Sequence, residues 1–198
     1  GAIDLKIDSQ THYNGNVCQN VSTQGEPVYQ WVGNAPYPVQ GTECTGTWDI
    51  KDLTVEKLFD FADIKPGDEG ENTISLHVFN NDAWVCAAVS NLANAENGCT
   101  EPESNPSSGN DTTCGTPGAG EGELQNVMNW VVWRDDGVGA PEQVIGKCDN
   151  VQQDGEVTLA SGHPANGVLP LYDSNTGAGP LKGDATSCLG VSWSLPAE

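Results

Sequence analysis

An all-β sandwich is the fold this chain of 198 residues predicts. Short runs of alternating apolar and polar residues recur along it, the period of half-buried strands. Turn residues separate these runs, and helical periodicity is almost absent. Seven dispersed cysteines add the covalent staples of a loop-rich fold. Many short strands with turns between them pack best as two sheets face to face. No linker-like stretch divides the chain, so one domain over residues 1–198 is expected.

Taken in order, residues 2–7 alternate Ile3, Leu5 and Ile7 with Asp4 and Lys6, a short amphipathic strand. Weaker strands are expected at 17–21 and 28–32, then an aromatic, proline-rich turn over 31–38. Residues 47–50 and 55–61 precede the most informative stretch, 58–89. There the Pro66-Gly67 turn leads to two strands joined around Asn80, Asn81 and Asp82. Ile74, Leu76 and Val78 share one face of the first, with Ser75, His77 and Phe79 on the other. Residues 83–89 are too dense in apolar side chains for an exposed edge. Residues 101–122 make a polar loop too long for a hairpin. Residues 123–129 suit one or two helical turns with Leu124, Val127 and Met128 on one face. Further strands are expected at 130–133, 144–145, 156–160 and 189–195, and 161–187 is a second long, glycine-rich loop.

Charge narrows the function. There are 28 Asp and Glu against 7 Lys and Arg, a formal net charge of −21. Phosphate is repelled by such a surface, which excludes nucleic-acid binding driven by counterion release. Acidity aids solubility, and it makes self-association depend on salt or divalent cations that screen it. No apolar run is long enough to enter a membrane as a spanning helix. The single methionine is Met128, and the chain opens directly in a strand pattern. That start suits a chain cut after a signal peptide, or a residue left at Gly1 by cloning.

Cysteines stand at 18, 44, 86, 99, 114, 148 and 188, with no C-x-x-C pair and no Cys/His cluster, so zinc is not expected. They read as disulfides, each worth about 2–4 kcal/mol. The expected pairs are Cys18 with Cys44, across the first hairpin region, and Cys99 with Cys114, across the polar loop. The odd count leaves at least one thiol without an internal partner.

Catalysis is not expected. A zinc protease needs two imidazoles one helical turn apart with a carboxylate base, whereas His12, His77 and His163 are isolated. No G-x-S-x-G elbow or phosphate-cradling loop occurs. Calcium is the one cofactor the residues suggest, because Asp135, Asp136 and Glu142 supply three acids around Gly137. The two aspartates are adjacent, however, and point to opposite sides of an extended chain. Asn80, Asn81 and Asp82 form a second oxygen-rich turn, and self-bonded Asx turns are the alternative at both places. Asn20 and Asn110 begin N-x-S/T glycosylation sequons. The six tryptophans suit core or inter-subunit packing better than carbohydrate stacking.

Asp63-Ile64-Lys65-Pro66-Gly67-Asp68 with Gly70, then Thr73-Ile74-Ser75-Leu76 with Val78, then Asn80-Asn81-Asp82-Ala83-Trp84-Val85-Cys86, occur in that order. This succession resembles the secreted TasA/camelysin family of biofilm-fibre and bundling-pilus subunits. The likeness continues more weakly through Cys99-Thr100-Glu101-Pro102 and Gly122-Glu123-Leu124-Gln125. It implies a jelly-roll arrangement of the two sheets, an extracellular or cell-surface location, and a structural role. Copies of the chain itself would be the partners in a filament, together with other matrix or cell-surface components. In donor-strand complementation, Ala2, Ile3, Asp4, Leu5, Lys6 and Ile7 would leave their own molecule to complete a neighbour's sheet. Ile3, Leu5 and Ile7 would be the plugs, and Ile74, Leu76 and Val78 would line the acceptor groove. Repeated head to tail, the contact makes a filament. The alternative is an ordinary first strand within the monomer. A camelysin-type metallopeptidase and a monomeric adhesion or carbohydrate-binding module remain the rival functions. Family members commonly continue beyond a strand like 188–195 into another strand pair with a final cysteine. A removed terminal strand would therefore account for the odd thiol.

Overall fold

The computed structural model describes residues 3–96, 98, 111–112, 114–115, 118–137, 147–175 and 178–197. Its strands in chain order are β1 (Asp4–Tyr13), β2 (Asn16–Asn20), β3 (Tyr29–Val32), β4 (Trp48–Lys51), β5 (Glu69–Phe79) and β6 (Val85–Val89). They are followed by β7 (Ala95–Glu96), β8 (Gly118–Ala119), one helical turn α1 (Leu124–Val127), and β9 (Asn129–Arg134). The last three are β10 (Thr158–Gly162), β11 (Gly167–Tyr172) and β12 (Ala185–Ser194). The protein is an all-β, sandwich-like structure of antiparallel sheets. An eight-stranded sheet runs β10-β9-β12-β5-β1-β2-β3, with β4 also paired to β1. A two-stranded layer, β11-β6, packs on its inner face, and β7-β8 form a separate short ribbon.

Strand β5 is the spine. It pairs along its length with β12 on one side and with β1 on the other, from Asp4 opposite Phe79 to Tyr13 opposite Gly70. Period-2 alternation then sorts the side chains. Leu76 and Val78 are almost wholly buried, with Ile74, Val132, Leu189 and Val191 beside them and Leu171 of β11 above. A second, aromatic cluster gathers round Tyr13, whose ring centroid lies 4.6 Å from Phe61, 5.5 Å from Tyr37 and 5.6 Å from Trp193. Between the two clusters sits a polar layer. The buried Asn72 carboxamide donates to Ser9 Oγ and Thr11 Oγ1, both at 2.9 Å, and to the Leu58 carbonyl at 3.1 Å.

The Pro66-Gly67 turn is held by Asp68. Its carboxylate accepts the Tyr13 hydroxyl at 2.6 Å, the Asn14 amide at 2.9 Å and the Lys65 N–H at 3.0 Å. Burial alone would raise this carboxyl, but the hydrogen bonds from Tyr13, Asn14 and Lys65 outweigh it and hold Asp68 below the usual range. Gly70 lies under the Trp193 indole, where a Cβ would come within 2.5 Å of the ring.

Several expectations are corrected. Residues 55–61 form no strand, because Leu58 and Phe59 pack into the core while Leu58 O is taken by side-chain donors rather than a ladder. The turn at 80–82 does not join neighbours in one sheet. Strand β5 stays in the large sheet and β6 crosses to the small one, so the turn is a corner between layers. The loop expected at 161–187 contains β11 and the start of β12. Residues 144–145 lie outside the described residues, as does most of 101–122.

Asp68→Asn is expected to lower stability at pH 7 by about 1–3 kcal/mol, the cost of disrupting buried charge-assisted bonds. A depressed carboxyl stabilises above its ordinary range and ceases to do so as pH falls through its folded value. The gap between variant and parent should therefore narrow in urea denaturation as pH falls below the ordinary aspartate range.

Candidate functional site

Three regions carry the residues of interest. The first is the seam between β1 and β5. Asp4, Leu5, Lys6 and Ile7 stand opposite Phe79, Val78, His77 and Leu76 of the same chain. Leu5 and Ile7 pack into the core with Ile74, Leu76 and Val78, whereas Ile3 is exposed and precedes the strand. Ala2 lies outside the described residues. The expected plug and its expected groove thus meet, but within one molecule, which corrects the view of this segment as unpartnered. The physical reason is length. The strand continues to Tyr13 and turns through Asn14 and Gly15 into β2, so its first half is carried onto β5 by the second. On its other side, among the described residues, this first half meets Lys51 and Trp48 of β4, with the Trp48 indole donating to Ile7 O at 3.1 Å.

The second region is the β6-β11 layer. Val85, Ala87 and Leu169 face the core. Trp84, 60% exposed, Cys86 and Val168, 65% exposed, face away. Cys86 is a free, exposed thiol. Trp31, Trp48, Trp133 and Trp193 are buried, so Trp84 is the most exposed indole named here. Apart from the bridge Ala83–Leu181, the outer edges of this layer have no ladder partner among the described residues.

The third region lies on the outer face of the large sheet. His12 of β1 and Glu71 of β5 are opposite one another, and Asp135 follows β9. The segment from Lys147 to Glu156 packs against them, tied to β12 by Cys148–Cys188. Asp135 is fully buried; its Oδ2 accepts the Asn150 N–H at 2.9 Å. Asp135 Oδ1, Glu71 Oε1 and Asn150 Oδ1 are buried with no hydrogen-bond donor. His12 Nδ1 is 3.6 Å from Glu71 Oε2 and 3.4 Å from Asn150 Nδ2. Burial, then the charges of Asp135 and Asp149, push the Glu71 carboxyl up to about 8. Burial also raises Asp135 and lowers His12. Burial thus disfavours the charged form of both partners in the Glu71–His12 contact. A groove of about 400 Å³, lined by His12, Glu71, Val131 and Ser192, opens beside them.

This arrangement corrects the expected acid loop. Asp135 and Asp136 diverge: Asp135 interacts with Glu71 and Asp149, whereas Asp136 lies near Tyr172 and bridges Lys147 through its backbone. Glu142 lies outside the described residues. Asp82 of the other oxygen-rich turn is bound by Lys182 Nζ at 2.7 Å and Gly183 N–H at 3.0 Å. Glu96, Asp111 and Glu123 form a set whose ligand atoms lie within 4.8 Å of one another. No histidine joins such a set among the described residues. His77 bonds Asp8 and Thr186, and His163 bonds Met128 O.

Cys18–Cys44 is formed, with a Cα separation of 5.8 Å. Cys148–Cys188 was not anticipated; no spacing rule marks it, and it depends on β12 lying beside β9. Cys114 is disulfide-bonded, and Cys99, its expected partner, lies outside the described residues. The disulfides fit an oxidising environment. No helix among the described residues is long and apolar enough to cross a membrane. Asn20 is exposed at the end of β2, its side-chain oxygen accepting the Ser22 and Val28 N–H groups; Asn110 lies outside the described residues. No protein-family model, curated protein or solved structure matches this chain.

Two outcomes are expected. Because the folded Glu71 carboxyl is raised, its proton is kept after the unfolded chain has lost its own. Stability is then lost as pH rises from about 4.5 to about 8. His12, lowered, acts in the opposite sense below its ordinary range, so the comparison with Glu71→Gln isolates the carboxyl. In chelator, the variant should show a flatter stability profile between those pH values. Separately, iodoacetamide on native protein without reductant should label Cys86, read by peptide mass mapping.

Proposed function

We propose that this protein is a structural subunit of an extracellular filament that assembles by exchange of its first strand between copies. The single observation that carries the reading is the β1–β5 seam. Leu5 and Ile7 seat on Ile74, Leu76 and Val78 along a full antiparallel register. A neighbour's β1 could remake the same contacts, so exchange conserves backbone pairing and apolar burial while linking subunits. The small β6-β11 layer, with open edges opposite an eight-stranded sheet, supports an architecture suited to strand addition. The resemblance to secreted fibre subunits supports the same reading, including the jelly-roll connection and secretion. A net charge of −21 opposes contact between copies until salt or divalent cations screen it.

Covalent trapping tests the proposal. In a Cys86→Ser background, chains carrying Leu5→Cys are mixed with chains carrying Val78→Cys under assembly conditions checked by electron microscopy. Directly opposed strand positions are close enough for a disulfide. Exchange predicts covalent dimers joining the two kinds of chain in filaments. Filaments without such dimers, while the double variant closes its bridge within one chain, would reject strand exchange from this end.

A further inference from the structure

We propose that Glu71, Asp135 and the Asn150 carboxamide form a binding site for one divalent cation of the calcium type, with Asp149 adding negative charge beside it. The site is independent of the filament reading. Three acceptor oxygens, Glu71 Oε1, Asp135 Oδ1 and Asn150 Oδ1, are each buried without a donor, on residues linked by the Asn150 N–H bond to Asp135 and by the contacts of His12 with Asn150 and Glu71. Asp135 is 0% exposed. Buried polar atoms in folded proteins are nearly always satisfied, by protein, ordered water or an ion, and a hard cation is the partner that carboxylate and carboxamide oxygens suit. Among the described residues no lysine or arginine pairs with these acids, and the basic group paired with Glu71 is His12.

The donor set is all oxygen, which suits a hard cation rather than zinc or copper. Calcium tolerates irregular sets of about six to eight oxygens, with water completing the shell, whereas magnesium demands a near-ideal octahedron. The ligands come from separate places: the middle sheet strand β5, the end of β9, and a loop fixed by Cys148–Cys188. Asn150 has φ 66°, a left-handed conformation asparagine accepts more readily than most residues. Its N–H holds Asp135 Oδ2, leaving Oδ1 for the ion. A groove lined by Glu71 and His12, though not by Asp135 or Asn150, opens beside the Glu71 end of the set. The groups facing Glu71 are His12, Asp135, Asp149 and Asn150.

Thermal unfolding and calorimetric titration of chelator-treated full chain test this. About 0.2 M NaCl screens diffuse attraction to the acidic surface. Calcium is added to about 2 mM, above the ~0.1–1 mM dissociation constants of extracellular sites. Wild type should gain about 2–6 °C in Tm and bind one ion per chain. Magnesium should give a smaller shift. Glu71→Gln and Asn150→Gly, the latter keeping the left-handed backbone, should remain folded by circular dichroism and lose both responses. Asp82→Asn, remote from the site, should keep them. No calcium response in wild type, an equal response to magnesium, or an undiminished response in folded Glu71→Gln would each overturn the proposal.

Discussion

The register between β1 and β5 is the constraint on which the rest of this structure depends. Ten residues of each strand lie opposite one another without a break. A slip of one position would turn every β1 side chain to the other face. On the inner face the register places Leu5 and Ile7 in the apolar core, Ser9 and Thr11 beside Asn72, and Tyr13 among the aromatic rings. On the outer face it places Asp8 within 2.6 Å of His77 and His12 opposite Glu71. The Asn72 carboxamide fixes this alignment. Its hydrogens reach Ser9, Thr11 and Leu58 O together, and a shifted strand would leave them unpaired in a buried place.

Close packing of the neighbouring strands follows from two glycines. A Cβ at Gly70 would meet the Trp193 indole, and one at Gly190 would come within 2.0 Å of Trp133. Each indole lies flat on backbone, Trp193 on the inner face and Trp133 on the outer. The disulfides then bind loops to strands that the sheet has already aligned. Cys18–Cys44 closes the aromatic cluster, and Cys148–Cys188 draws Asn150 over the outer face. That second staple brings Asp149 and Asn150 to acids on strands distant in sequence.

A closed first strand and a polymerising role are compatible in physical terms. Strand exchange replaces contacts within a molecule by the same contacts between molecules, so its free-energy change is small and its barrier is the withdrawal of β1. Withdrawal uncovers Ile74, Leu76 and Val78, and each fully buried apolar side chain is worth about 1.5–3 kcal/mol. The weak flank helps: only two residues of β4 pair with the opposite side of β1. The acidic surface sets the other condition, since like charges must be screened before copies can approach.

By itself the sequence determined the fold class, the strand signal at Ile74, Leu76 and Val78, the helical turn near Leu124, and the staple between Cys18 and Cys44. Each of these is written in local alternation, a turn residue or a short spacing. Strand β11 was hidden because Val168, Leu169 and Leu171 sit among glycine, proline and turn residues without clean alternation. Residues 55–61 look like a strand because Leu58, Phe59 and Phe61 pack against the core, although side chains rather than a neighbouring strand take the Leu58 carbonyl and Val55 is exposed. The outer-face oxygen set was illegible for a stronger reason. Glu71, Asp135 and Asn150 lie on segments far apart in the chain, and adjacency of Asp135 to Asp136 pointed to the wrong partner. Only the tertiary structure decided that β1 closes its own sheet and that Glu71, Asp135 and Asn150 become neighbours. Both outcomes depend on which strands become neighbours, and pairing between distant segments leaves no mark in either segment alone.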